Sequence, residues 1–289
     1  MELLLQRRDV NPDSSSKSGR TPLSLAAGNG HEGIVKLLLG REDVNPDTPD
    51  AYYRRTPLWF ATRNGHEGVV RLLLEQGSTN PDSPDRSNLT PLGLAAGNGH
   101  EGIVKLLLGR EDVNPDTPDL YDGRTPLSWA AGNGFEGIAK LLLGRRDVDP
   151  DSSSESGRTS LSWAAENGYE GIVKLLLGRG GIDPNTRDLY GGRTPLLLAA
   201  ENGHEGIVKL LLGQGDLSPD IPDTRYGQTP LAWAAEKGHE GIVKLLLRRK
   251  DVNPNSSNKY HQTPLILATG YGHDRVADLL RARNSQPVP

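Results

Sequence analysis

The segment NGHEGIVKLLL occurs three times without a change in this chain of 289 residues, at 29–39, 98–108 and 202–212. Near copies begin at residues 64, 133, 167 and 237. A TPL or TSL triplet precedes every copy, and successive triplets are 34 or 35 residues apart. Their threonines are Thr21, Thr56, Thr90, Thr125, Thr159, Thr194, Thr229 and Thr263. This period predicts one small unit, repeated so that each copy buries its apolar face against its neighbours.

The order of residues within a unit predicts two helices and a loop. Thr21 followed by Pro22 is typical of an N-cap and a first helical residue, because the hydroxyl accepts a free backbone N–H and proline has none to satisfy. Small residues then allow a second helix to approach, and Gly30 ends the first helix in the left-handed conformation. The second helix runs from HEG to LLL. The DVNPD segment begins an extended loop, because the residue before proline is disfavoured in a helix.

Helix, turn, helix and a projecting hairpin loop, with TPL and a small Ala pair at this period, resemble the ankyrin repeat family. The resemblance implies an all-α solenoid of helix-turn-helix units with projecting β-hairpin loops. The His that usually completes the family's TPLH is absent, and Trp59 is among the residues in its place. The HEG order and the long NPD loops are similar to ankyrin arrays at the C-terminus of large fungal NACHT-type proteins.

The whole chain, residues 1–289, is therefore expected to form a single array. Residues 1–20 match the end of a unit whose first helix is missing, which predicts a fragment or truncated gene product with fraying near its start. Full repeats are expected to begin near residues 21, 56, 90, 125, 159, 194 and 229. Residues 263–289 are expected to be a C-terminal capping repeat, because Arg275, Asp278 and Arg281 replace the Gly, Lys and Leu of earlier copies.

Composition excludes several classes of protein. The chain has no cysteine, so it can form neither disulfides nor thiolate metal sites. A formal charge of −4 does not suit a general nucleic-acid binder, and the apolar runs are shorter than the ~20 residues that span a membrane. We therefore expect no nucleic-acid or membrane partner, and an intracellular protein, cytoplasmic or nuclear.

The recurring His-Glu pair does not form a zinc-protease motif. Such a motif needs a second His four residues after the first, and Val35 stands at that position after His31. Phe135 and Tyr169 replace the His in two copies, which favours a packing role. Aspartates that recur in the loops, such as Asp47, lack the spacing of an EF-hand and favour turns over calcium binding. No catalytic residue, metal or cofactor is expected.

Positions that differ between copies are the candidates for partner recognition. The fourth residue after several of the threonines is a Trp, the seventh is Glu in three copies, and tyrosines lie near the loop tips. Trp and Tyr often anchor interfaces, and the acidic row suggests a basic or amphipathic partner segment. The competing interpretation is that the tryptophans pack between repeats and the glutamates face solvent. The candidate residues are Tyr52, Tyr53, Trp59, Arg63, Tyr121, Trp129, Trp163, Glu166, Tyr190, Glu201, Tyr226, Trp233 and Glu236.

These patterns predict a monomeric, non-catalytic module that binds a protein partner on its concave face and loop fingers. An enzyme is disfavoured because no cluster of titratable residues converges in the sequence. A third hypothesis is a structural or self-associating repeat segment of a larger signalling protein.

Overall fold

The computed structural model describes residues 11–285, and within that range the chain is all-α. Eight helix pairs follow one another, each with a first helix after the marker Thr and a second helix after the His or its equivalent. The first helices are Pro22–Gly28, Pro57–Arg63, Pro91–Asn98, Pro126–Asn133, Ser160–Asn167, Pro195–Glu201, Pro230–Lys237 and Pro264–Gly270. The second helices are Glu32–Leu39, Glu67–Leu74, Glu101–Leu108, Glu136–Leu143, Glu170–Arg179, Glu205–Leu212, Glu240–Leu247 and Asp274–Asn284.

The chain divides into two compact units. The N-terminal unit contains the described residues up to Ala130 together with Gly137–Asp149. The C-terminal unit contains Ala131–Glu136 and the described residues from Pro150 onward. The first ten residues of the expected partial repeat lie outside the described range, so the expectation of fraying there remains a prediction.

The predicted caps are confirmed at the helix ends. Each marker Thr hydroxyl accepts the backbone N–H three residues later, as between Thr56 and Trp59 N at 3.2 Å. Proline occupies the next position except in the fifth copy, where Ser160 does. Gly168 ends a first helix at φ +82°, in the left-handed region that glycine adopts without strain. The local signals therefore define both ends of the first helix.

Within each unit, first helices pack on first helices and second helices on second helices of the next repeat. Leu23 and the two alanines after it are buried on the first helix, and Val35 and Leu38 on the second. The same positions are buried in the later copies up to the seventh, and in the last repeat Leu265 is partly buried and Thr269 is exposed. The core is thus a continuous apolar layer between the two rows of helices, as expected of a stack whose single repeats cannot bury their own apolar faces.

The HEG triplet joins neighbouring repeats, as its packing interpretation predicted. His204 Nε2 lies 3.0 Å from the carbonyl oxygen of Glu166 in the preceding repeat, and His66 makes the same contact at 3.1 Å. From the second triplet onward the Gly leaves room for the preceding repeat's Glu, since a Cβ on Gly68 would stand 1.9 Å from Glu32 Oε1. The His, the Glu and the Gly of HEG therefore all lie at the contact between one repeat and the next.

The expected hairpin loops reverse direction without forming strands. Among the described residues, Ser153 and Thr159 make an isolated β-bridge, and the other loops are closed by backbone bonds that form no ladder, such as Asp50 N to Arg55 O at 2.9 Å. The prolines of each loop have no N–H to donate to a strand ladder, which favours turns over paired strands.

Candidate functional site

Large apolar side chains are exposed at the loop tips. The sequence DLY occurs twice, and its Leu-Tyr pairs are Leu120–Tyr121 in the N-terminal unit and Leu189–Tyr190 in the C-terminal unit. Tyr121 is 75% exposed and Tyr190 is 82% exposed. Both leucines are also mostly exposed. The sequence reasoning singled out the tyrosines and missed the leucines, although the repeated DLY was a usable signal.

A buried aspartate holds each of these loops. Asp119 Oδ1 accepts the backbone N–H of Tyr121 at 3.0 Å, and Asp188 Oδ1 accepts that of Gly191 at 2.8 Å. Both carboxylates are buried. A short polar side chain that accepts hydrogen bonds from the backbone just after it stabilises a turn. The sequence predicted turns at the recurring loop aspartates, Asp119 among them, and this Asp lies six residues before the marker Thr in both copies.

Adjacent loops are also bonded to one another. In the N-terminal unit, the N–H of Leu120 donates to the carbonyl of Ser87 at 2.8 Å. In the C-terminal unit, the N–H of Leu189 donates to the carbonyl of Ser156 at 2.8 Å. These bonds fix the backbone on which the exposed Leu-Tyr pairs stand, so a partner would not have to order the loops first.

The candidate tryptophans are more buried than an outward-facing row would be. Trp59 is 2% exposed and Trp233 is 8% exposed, whereas Trp129 and Trp163 are half-buried. The fourth residue after the Thr is buried in most copies, which favours the competing interpretation that the tryptophans pack between repeats. Phe60, at that position, lies against Gly28 of the preceding repeat, which is how neighbouring repeats cover it.

Arginines that directly precede the marker Thr cover the indole faces. Arg124 lies 3.9 Å from the ring centroid of Trp129 and Arg158 lies 4.0 Å from that of Trp163. A guanidinium stacked on an aromatic face is attracted by the ring quadrupole. In addition, Trp129 Nε1 donates to the buried Asp119 at 2.8 Å. These side chains contribute to packing in each unit, whatever else they bind.

The acidic row of the C-terminal unit is half-buried and largely compensated. Glu166 Oε2 lies 2.6 Å from a guanidinium nitrogen of Arg158, and Glu236 Oε2 accepts from the Gln228 amide at 2.6 Å. Glu201 is less well compensated, because Arg193 Nη1 is 4.0 Å away and its buried Oε2 accepts no hydrogen bond. Burial raises the pKa of Glu201, and the nearby Arg193 lowers it by less.

Four of the candidate residues adjoin a pocket in the C-terminal unit. Tyr190, Tyr226, Trp233 and Glu201 line a cavity of about 290 Å³, together with Arg193 and Arg225. Tyr226 is half-buried with its ring edge-on to Trp233, at a centroid distance of 5.9 Å. The remaining candidates, Tyr52, Tyr53 and Arg63, are exposed in the N-terminal unit.

The family comparison agrees with this architecture. The family described as ankyrin repeats (3 copies) matches residues 1–85, 42–119, 92–188, 146–223, 189–258 and 218–288. The chain therefore belongs to the ankyrin repeat family, whose repeats mediate protein–protein interaction and are typically non-catalytic. No curated protein matches the chain.

No group of three or more His, Asp or Glu side chains within residues 11–285 could hold a metal ion. No helix in the same range is long and apolar enough to cross a membrane.

Proposed function

We propose that the chain is a monomeric, non-catalytic protein-binding module that acts inside the cell. The exposed Leu-Tyr pairs at the loop tips carry this proposal. A large apolar side chain gains free energy when it leaves water, and tyrosine is among the residues that most often anchor interfaces. The buried aspartates and the bonds between loops support the same conclusion, since a preordered surface loses little conformational entropy on binding.

The pocket beside Tyr190 is the proposed centre of recognition in the C-terminal unit. Tyr190 and Tyr226 offer apolar walls, and Glu201 offers a carboxylate oxygen without a hydrogen bond. A Lys or Arg side chain of the partner would complete that carboxylate, while its neighbours pack on the rings. The partner that fits is an amphipathic segment with at least one basic residue.

Alanine scanning against a partner isolated with the full chain tests this assignment. Tyr190→Ala should speed dissociation by about thirtyfold, because truncating an aromatic anchor costs roughly 2 kcal/mol. Glu201→Gln should also speed dissociation, since its half-buried carboxylate would pair with the partner's cation inside the pocket. Lys209→Ala, an exposed change on a second helix of the same unit, is the matched control. Loss of binding in Lys209→Ala with both pocket variants intact would place recognition on the opposite row of helices.

A structural or self-associating segment of a larger signalling protein, as in fungal NACHT-type receptors, is the alternative. Arg281 and Asp278 bear on it, because both are exposed and paired at 2.7 Å in the proposed capping repeat. Earlier repeats carry Leu at the position of Arg281. Light scattering over a range of concentrations should show a monomer for the native chain and self-association for Arg281→Leu. Concentration-dependent assembly of the native chain would favour the alternative.

A further inference from the structure

The N-terminal unit has a pocket lined by cations, in contrast to the acidic row of the C-terminal unit. Arg20, Arg55 and Arg63 line a cavity of about 350 Å³ with Trp59 and Phe60. None of the residues that line it is acidic. Three arginines thus line one cavity in a chain whose net charge is −4.

Aromatic rings hold these guanidinium groups in place. Arg20 lies 4.5 Å from the ring centroid of Phe60, and Arg55 lies 4.2 Å from that of Trp59. Arg63 lies 5.3 Å from the ring centroid of Trp59. Stacking uses the flat face of a guanidinium and leaves its N–H donors, which point along its edge, available to an acceptor. The pocket is therefore preorganised for a planar or tetrahedral oxyanion.

Two buried donors at this pocket have no acceptor. The indole Nε1 of Trp59 and the Nε of Arg55 are buried without a hydrogen bond, although Trp59 is 2% exposed. A buried donor without a partner costs free energy, so both side chains would be stabilised if a small rotation brought these N–H groups to an acceptor bound in the pocket. The nearest charge compensation is Asp85, whose Oδ2 is 3.9 Å from Arg55 Nε. Arg20 and Arg63 make no ion pair with any residue in the described part of the chain.

Equivalent positions in the C-terminal unit show why this pocket differs. There the arginine before the marker Thr lies near a carboxylate seven residues after the Thr, as Arg158 lies near Glu166. In the N-terminal unit, those seventh positions carry Gly28 and Arg63. In the repeat of Arg20 the position of the neutralising carboxylate is therefore a glycine, Gly28. In the repeat of Arg55 it is another cation, Arg63.

We propose that this pocket binds an oxyanion carried by a partner polypeptide, a phosphorylated or carboxylate side chain. A polypeptide suits the geometry better than a nucleic acid, because the three cations form one point site rather than a stripe and the whole chain is negatively charged. The polypeptide carrier rests on the proposed function, whereas oxyanion binding itself does not.

The test is a titration of the full chain with four probes. These are inorganic phosphate, a phosphoserine peptide, the same peptide with Glu at that position, and a single-stranded RNA. The indole N–H resonance of Trp59, assigned through Trp59→Phe, reports occupancy directly. Both peptides should bind and shift it, and the stronger one identifies the anion. Tighter binding of the RNA, or no saturable binding of either peptide, would overturn the proposal.

Two variants use residues that the chain itself places at equivalent positions. Arg63→Gly copies Gly28 and Gly97, and Arg20→Gln copies Gln228 and Gln262. Each should weaken peptide binding about tenfold to a hundredfold, as expected for losing one charge-assisted contact. Lys105→Gln, on an exposed second-helix position of the same unit, should leave affinity unchanged. An equal loss in Lys105→Gln would mean diffuse attraction and contradict a site.

The outcome is separable from that of the proposed function. Tyr190→Ala and Glu201→Gln lie in the other unit and should not alter binding of the phosphoserine peptide. Inorganic phosphate that shifts the Trp59 resonance, together with loop variants that do not affect any protein partner, would support the oxyanion pocket and reject the Tyr190-centred surface.

Discussion

In both units an arginine directly before the marker Thr stacks on a Trp of the first helix, but the residue seven positions after the Thr has the opposite charge in the two repeats compared. In the N-terminal unit Arg55 stacks on Trp59, and the seventh residue after the marker Thr is Arg63. In the C-terminal unit Arg158 stacks on Trp163, and the seventh residue is Glu166. The arginine before the Thr is therefore common to both, while the seventh position places a carboxylate beside it in one unit and a second cation in the other.

This difference separates what holds the repeats together from what distinguishes them. The Thr cap, the left-handed Gly and the His contact recur in both units with nearly the same distances. The residue at the seventh position takes part in the His contact only through its backbone carbonyl. Its side chain can therefore be that of Gly, Arg or Glu. A repeat protein can thus change the charge of its groove one residue at a time without changing its fold.

The largest expected effect comes from the shared scaffold and should be equal in the two units. A Cβ on Gly168 would stand 2.6 Å from the ring of His204, and one on Gly65 would stand 2.8 Å from that of His100. Both glycines have positive φ. Gly168→Ala and Gly65→Ala should each lower the free energy of unfolding by about 2–3 kcal/mol, because left-handed strain adds to the displaced histidine contact.

Gly272→Ala is the matched control for these variants. It has φ +78° and no atom within 4 Å of an added Cβ, so it bears the strain without the clash. The free energy of unfolding, measured in urea, should fall by about 1 kcal/mol in Gly272→Ala. A much larger loss for one of the two histidine-facing glycines than for the other would mean that the units do not share one scaffold.

The next effect should have opposite sign in the two units. Arg158 is buried, and Glu166 is the carboxylate beside it. Glu166→Gln should lower the free energy of unfolding by about 1 kcal/mol, a value reduced for the partial exposure of the pair. Arg63→Glu should instead raise it by up to about 0.5 kcal/mol, since it gives Arg55 the carboxylate that Arg158 already has.

The exposed loop variant Glu155→Gln controls for a simple change of net charge and should change stability little. Destabilisation by Arg63→Glu as large as that by Glu166→Gln would show that the seventh position does more than set charge.

The fold was predictable because its signals are local. The marker Thr, the following Pro and the Asn-Gly stop act within one helix, and the eight copies confirm one another. The periodic Leu, Val and Ala positions also give the core directly, as the burial of Leu23 and Val35 shows. Each of these inferences uses residues at most a few positions apart.

The burial of the candidate side chains depends on contacts between repeats. Phe60 is covered because it lies against Gly28, 32 positions earlier, and helical periodicity within one repeat does not include that neighbour. The stacking of Arg55 on Trp59 joins the loop to the helix, and the recurrence of Arg before the marker Thr does not by itself show which side chain the Arg covers. For the same reason the acidic row was predictable as a row, but its compensation by Arg158 and Gln228 was not.

The smallest effect concerns a loop aspartate that recurs in both units. Asp220 Oδ2 accepts the backbone N–H of Asn253 in the next loop at 2.5 Å, and its Oδ1 is buried without a partner. The equivalent residue one repeat earlier is Asn185, whose Oδ1 accepts from Ser218 N and whose Nδ2 donates to the carbonyl of Asp216 at 2.9 Å. By analogy, an amide at position 220 would reach the carbonyl of Asp251.

Burial raises the pKa of the Asp220 carboxyl above its ordinary value of 3.8, the bond from Asn253 lowers it by less, and the Asp251 charge adds to the rise. Because the folded chain then holds this proton more tightly than the unfolded chain, the carboxyl stabilises the fold most below pH 3.8, and that contribution is lost as the pH rises through the higher folded pKa. Asp220→Asn should therefore raise the free energy of unfolding at pH 7 by about 0.5 kcal/mol, after allowance for the solvent around a half-buried group.

The reciprocal change, Asn185→Asp, should lower that free energy by a similar or somewhat larger amount, because a carboxylate would then face the Asp216 carbonyl. Urea unfolding at several pH values distinguishes this mechanism from a general effect of charge. The gain from Asp220→Asn should shrink as the pH falls towards 4, where the native carboxyl takes up its own proton. Asp216→Asn, at an exposed position, should show no such dependence. If Asp220→Asn raised the free energy of unfolding by the same amount at every pH, the unpaired carboxylate oxygen of Asp220 would not be the cause of the gain.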